Sequence, residues 1–461
     1  MVTVQAVIAA NRFGLGARPG ELDEISRDHE GWLLAQLGPD ASTARDSFPG
    51  SATILSEFQR LQRVRNEARR SDDAERGENA AQAYRTYIRS QYQIQATRRY
   101  ELAAATDVPF RERLVHFWTN HFAVSADKQA VTPLVGTLED EAIRPHVTGR
   151  FFDMLLAVEQ HPAMLLYLDN QASMGPNSRA ARAGAQRGRD LGLNENLARE
   201  ILELHTLGVD GGYDQKDVTT FAKVLTGWSV GGGQNRDAES IAGAFFFRAN
   251  THEPGAKTML GNRYGEDGIG EGEAVLTDLA MHPATAHFLA EKLVRHFVAD
   301  EPPGELVSEL ARAYLDHDGE LNAVYETLVS ARAAWVEPLA KYKTPQDFLI
   351  STYRAFNQRP DNPERMIAFL ELLGQRPYTP GSPAGWPDTM AHWDGGDALI
   401  KRIEWAAAVG RQISDRVRPV ELGEAILGPV LGDHTRTVVS RAESSAQGLT
   451  LLLASPEFQR R

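Results

Sequence analysis

The 461-residue chain has no cysteine. That excludes disulfides, thiolate metal sites and a cysteine nucleophile, so any metal would need His, Asp, Glu, Asn or backbone ligands. Lysine is scarce too, with 8 Lys beside 41 Arg. Positive charge is in deficit overall: the formal net charge is −13. A protein that coats nucleic acid or an anionic membrane needs a basic footprint, and this chain lacks one. No apolar run reaches the ~18 residues that would suggest a membrane span. The opening stretch, MVTVQAVIAANRFGLGARPGEL, has no basic leader and little apolar length before Arg12. It is a poor export signal. The expected location is therefore cytoplasmic, or periplasmic if the chain is co-exported or already processed. The sequence also lacks GxxxxGK[ST] and HExxH, so nucleotide-loop and zincin chemistry have no foothold. No internal repeat is visible.

What the chain does have is helical periodicity. Apolar residues recur at three- and four-residue spacing from about residue 52 to 227 and again from 271 to 453. The fold class expected is mainly α: one large helical domain with a small β-hairpin insertion at 242–264, where aromatic runs and turn residues replace that pattern. Charged or Gly/Pro-rich stretches at 69–80, 173–192 and 376–397 are expected to be flexible loops.

Chemistry-bearing residues gather in a few places. In NENLAREILELHTLGVDGGY (194–213), Asn196, Arg199, Glu200 and Glu203 fall at i, i+3, i+4 and i+7, one stripe of a helix, and His205 follows. Such a stripe is either a wet surface or a site. Glu200 and Glu203 would repel unless one is protonated, paired with a cation or bound to metal. In HFWTNHF (116–122), His116 and Asn120 share a helix face, while His121 lies about 140° away. Without further context these histidines read as packed core residues. HEPGAKTMLG (252–261) places His252 and Lys257 around a Pro-Gly turn, where a lysine could meet an anion or simply face solvent.

Seven stretches in fixed order, HFWTNHFAVS, HPAMLLYLDN, NENLAREILELHTLGVDGGYDQKDV, FAKVLTGW, HEPGAKTMLG, HPATAHFLAEKLVRHFVAD and GWPD, resemble the bacterial family filed as domain of unknown function 1800. The resemblance spans about residues 5 to 455. It implies no activity, but it marks His116, Asn120, His121, Asp169, Asn170, Asn194, Glu195, Asn196, Arg199, Glu200, Glu203, His205, His252 and Lys257 as positions of interest. Members often sit beside a gene for a secreted phosphatase- or sulfatase-like protein, and many carry an export signal; the opening stretch here does not resemble one, so a periplasmic location is not the first expectation.

Two functions are expected from these residues. The first is an enzyme with Glu200, Glu203, His205 and Arg199 as catalytic groups, and Asn120, Asp169, Asn170, Asn194, Asn196, His252 and Lys257 binding substrate. Its chemistry would be metal-assisted hydrolysis, with a divalent ion on His116, His121, Glu200 and Glu203, or metal-free acid–base catalysis by the two glutamates. The second is a non-catalytic binding or assembly partner for the phosphatase/sulfatase-like neighbour, the polar stripe being a structural network. No nucleic-acid partner is expected.

Overall fold

Helices make up most of the chain, beginning and ending where the local chemistry dictates. The computed structural model describes residues 1–38, 48–71, 73–187, 192–232, 241–413 and 416–461. The long pair Ser51–Ala68 and Ala74–Ala105 forms an antiparallel hairpin. The second helix starts inside the stretch expected to be a flexible connection, because the Asp73 side chain caps it by accepting from the Arg76 amide. Likewise a short helix, Arg179–Ala185, occupies part of the expected 173–192 loop under a Ser178 cap; residues 188–191 lie outside the described set. The 376–397 stretch is irregular as expected, apart from the single turn Met390–His392 and the first residues of helix Gly396–Ile413.

Both HPA stretches have a structural explanation. His161 and His282 each accept a hydrogen bond at Nδ1 from the amide two residues on, at 3.1 Å, and each is followed by proline in the first helical turn. They are helix N-caps with the proline placed where its missing N–H costs nothing.

The small β-hairpin expected within 242–264 is present but shorter than that range, and a second strand pair reaches outside it. Strand β1 (Trp228–Val230) pairs antiparallel with β2 (Phe245–Phe247), and β3 (Lys257–Met259) pairs with β4 (Asn262–Tyr264). The tight turn of the second pair is Leu260–Gly261, both at positive φ, the geometry that suits the twist of a two-residue hairpin. GWSV, which reads as a helix stop, is recruited as a strand because Trp228 is fully buried and stacks edge-on against Phe245.

One contiguous buried cluster runs from Ala6 to Phe458. Helices Pro109–His121 and Pro283–Phe297 are joined by Phe110 and Phe117 packing on Phe297, and the Arg113–Asp347 ion pair ties helix Pro345–Ala355 to the first. No described helix is long and apolar enough to cross a membrane.

Candidate active site

A cleft of about 800 Å³, counting its open mouth, lies between helix Pro109–His121, helix Pro345–Ala355 and the 376–397 loop. His116 and Asn120, one turn apart, both line it, as their shared face requires. Asn120 fixes the loop: its Nδ2 donates to the Trp386 carbonyl at 2.9 Å, and its Oδ1 accepts from the Trp386 amide at 2.7 Å. Gly385 sits at φ +81°, and a Cβ there would lie 2.3 Å from the Asn120 carbonyl oxygen. Only glycine allows so close an approach. This bonding delivers Asp388 to the cleft.

There, Asp388 Oδ2 lies 2.6 Å from His296 Nδ1. A carboxylate only accepts, so Nδ1 carries the proton and Nε2 of the neutral ring is the basic atom. Nε2 is buried without a hydrogen-bond partner, and the residue lines the cleft. Burial pulls the imidazole down to about 4, against the opposing pull of Asp388. Burial alone would raise Asp388, but His296, Lys341 and Arg461 outweigh it and hold the carboxyl at about 2. Asp388 is thus ionised and His296 neutral at pH 7.

Asp347 forms the floor, shared by Arg113 Nη1 and Arg461 Nε at 3.1 Å each. Burial is outweighed by these two arginines, and the carboxyl stays far below its usual range. On the opposite wall, Gln346 Nε2 lies 3.1 Å from His116 Nδ1. Tyr378 holds a positive φ of 54° and packs its ring under the Arg99 guanidinium. Non-glycine residues in that region store strain and gather at functional sites.

Behind His116 is a buried charge network. Glu112 accepts from Arg144 at 2.5 and 3.0 Å. Glu139 is paired with Arg99 and, at 3.1 Å, with Arg144. His116 Nε2 is 3.5 Å from Glu112 Oε1. Burial, then the Arg99 charge, lowers the imidazole to about 4. Among the described residues, Glu112, His116 and Glu139 are the group whose donor atoms approach closely enough to share a metal ion. Both carboxylates, however, are already neutralised by arginines, which would have to leave before a cation could enter.

The residues expected to form a site are not brought together as expected. The quartet His116, His121, Glu200 and Glu203 does not converge: His116 faces Glu112, while His121 Nε2 meets the His205 carbonyl at 3.1 Å. The α-helix Asn196–Glu200 passes into a π-turn at Ile201–His205. The wider turn rotates His205 inward, where Nδ1 pairs with Glu159 Oε1 at 2.8 Å, both side chains essentially inaccessible. Such π-turns often accompany functional sites, but neither His205 nor Glu159 lines the cleft at Asp388. The stripe itself is a surface ladder. Arg199 bridges Glu195 and Glu203 at 3.3 Å each, the three side chains 37%, 31% and 28% exposed. Glu200 is half-buried, and burial raises its carboxyl.

Lys257 is not an anion-catching lysine at a hairpin tip. It begins β3, is buried, and pairs with Glu271 at 2.7 Å while donating to the Glu253 and Gly255 carbonyls. His252 Nε2 lies 3.2 Å from the same Glu271 oxygen, and its Nδ1 is 2.7 Å from the Thr226 carbonyl. Asn170 donates to the Leu225 and Trp228 carbonyls. Asn194 donates to the Leu168 and Asp169 carbonyls, Asn196 is exposed, and Asp169 pairs with Lys128 at a positive φ. None of these six lines the cleft; of the residues expected to bind substrate or metal, only Asn120 and His116 do.

His296, Asp388, Asp347, Arg113, Tyr378 and Gln346 escaped the sequence reading. A signal existed: His296 interrupts the apolar face of its helix between Leu293 and Phe297, and Asp388 closes the GWPD stretch.

A family model described as "Protein of unknown function (DUF1800)" matches residues 8–460. Neither the curated proteins nor the solved structures provide a match.

Proposed function

For a chain that belongs to the DUF1800 family, we propose an enzyme working by general acid–base catalysis in the Asp388–His296 cleft. The carrying observation is the 2.6 Å contact that orients His296, a residue that lines the cleft and whose Nε2 is buried without a hydrogen-bond partner. In this reading Nε2 takes a proton from water or a substrate hydroxyl and returns it to the leaving group. Asp388 fixes the tautomer and stabilises the imidazolium that forms. Asn120, Gln346 and Tyr378 position the substrate. The reaction class that suits these groups is hydrolysis or group transfer without a resident metal. A metal-dependent variant would need Glu112, His116 and Glu139, and their arginine partners weigh against it.

The test is turnover of a panel of carboxylic, phosphate and sulfate esters, and of amides, by the full chain and by His296→Asn. Asparagine can still donate to Asp388 but has no atom at Nε2. Activity lost in the variant supports the reading; activity retained removes His296 from the chemistry.

A second reading is favoured by Leu399, Ile400 and Ile403, exposed on helix Gly396–Ile413. An apolar face of this kind suits docking to the phosphatase/sulfatase-like neighbour that the family resemblance implies. Under that reading Ile400→Glu abolishes co-elution with the neighbour and leaves turnover unchanged.

A further inference from the structure

Arg461 has a side chain with no accessible surface, yet it spans three parts of the fold. Its backbone is held by reciprocal hydrogen bonds with Lys341, Lys341 N to Arg461 O at 2.9 Å and Arg461 N to Lys341 O at 2.8 Å. Tyr342 and Arg460 form a β-bridge beside them. From that anchor Nη1 donates to the His296 carbonyl at 3.1 Å, while Nε at 3.1 Å from Asp347 Oδ2 and Nη2 at 3.5 Å from Asp388 Oδ1 form ion pairs without hydrogen-bond geometry. One planar group therefore touches the helix that carries Asp347, the loop that carries Asp388 and the helix that carries His296. Lysine could not do this, because its single ammonium has no fork. Lys341 assists by donating to the Asp388 carbonyl at 2.6 Å.

We propose that Arg461 is a positioning residue for His296: with its charge beside Asp388 Oδ1 it favours the carboxylate orientation that aims Oδ2 at Nδ1, and it shares the carboxylate charge with the imidazole. This rests on the reading of His296 as the proton-transfer group. The charges facing the ring are Asp388 on one side and Arg461 and Arg113 on the other, with Asp347 between the two arginines. The Arg461 charge is one of the causes that keep the ring deprotonated. Removing it leaves more of the Asp388 charge to the imidazole, with Lys341 still sharing it, so His296 becomes a stronger base that holds its proton to higher pH.

The experiment is a histidine-selective NMR titration of the full chain, with resonances assigned through His296→Asn, in wild type and Arg461→Gln. The expected result is an upward shift of the His296 midpoint, with the other buried histidines nearly unmoved. Arg461→Lys, which keeps the charge, guards against a Gln variant that fails to fold; it should shift His296 in the same direction by less. A folded variant of either kind with His296 unmoved overturns the proposal. A shifted His296 midpoint in a protein whose turnover survives His296→Asn keeps Arg461 as positioner and overturns only the catalytic reading.

Discussion

His296 Nδ1 and Asp388 Oδ2 are 2.6 Å apart, although 92 residues of sequence separate them. The contact depends on a loop that has almost no secondary structure and is held by hydrogen bonds to Asn120, by Lys341 and by the backbone freedom of Gly385. The pair is thus built on a segment that depends on its partners as well as on its own few turns for its shape.

Gly385→Ala tests that dependence. The new methyl would meet the Asn120 carbonyl at 2.3 Å, at a φ of +81°. The strain should cost ~1–3 kcal/mol and displace Asp388. Thermal melts should show the lower midpoint, and the titration of His296 should change with it. An unchanged His296 signal would mean that the loop does not hold the pair.

Acid stability has a definite sign. Burial depresses His116 and His296 to about 4 and His121 well below its ordinary value, whereas the unfolded chain titrates at about 6.5. Between those values the unfolded state binds more protons. The stabilisation is therefore complete above about pH 6.5 and is lost as pH falls toward 4, at roughly 1.4 kcal/mol per unit for each histidine. Glu112, Asp347 and Asp388, held low by their cations, add a further loss below about pH 4. Glu139 and Glu200, pushed up by burial, act in the opposite direction. Urea unfolding should show a clear loss of stability between pH 7 and 5. A flat response over that range would contradict the buried, neutral state of these rings.

Lys257→Met should lower stability by ~3–5 kcal/mol, because it strands the buried Glu271 carboxylate. It should leave turnover per folded molecule unchanged. Replacing Glu271 by Leu in the same chain should recover much of the loss. If Lys257→Met melted like wild type, the pair would be dispensable, contrary to its burial.

The mainly helical class was legible from apolar spacing, and so was the divergence of His116 and His121. Both follow from the helical repeat alone. The π-turn at Ile201–His205 was not legible, since residue spacing does not announce a change of hydrogen-bond register; His205 consequently turned inward instead of joining Glu200. The polar stripe at 194–203 follows from residue spacing, but a stripe does not reveal whether water or a cleft lies above it. Lys257 looked exposed because a Pro-Gly turn precedes it, while its partner Glu271 is 14 residues on, in another element. The cleft itself draws on residues 99, 116, 296, 347 and 388, and contacts of such separation leave no local pattern.

The most direct test compares kcat/KM of wild type, His296→Asn and Glu200→Gln on whichever ester or amide the panel shows to be turned over. Loss of a general base costs about 10²- to 10⁴-fold. His296→Asn should fall by that order, while Glu200→Gln, at the half-buried edge of a surface ladder, should stay within about threefold of wild type, since it carries no proton in transit. A large loss in Glu200→Gln beside near-normal turnover in His296→Asn would contradict the account and return the chemistry to the Asn196–His205 helix.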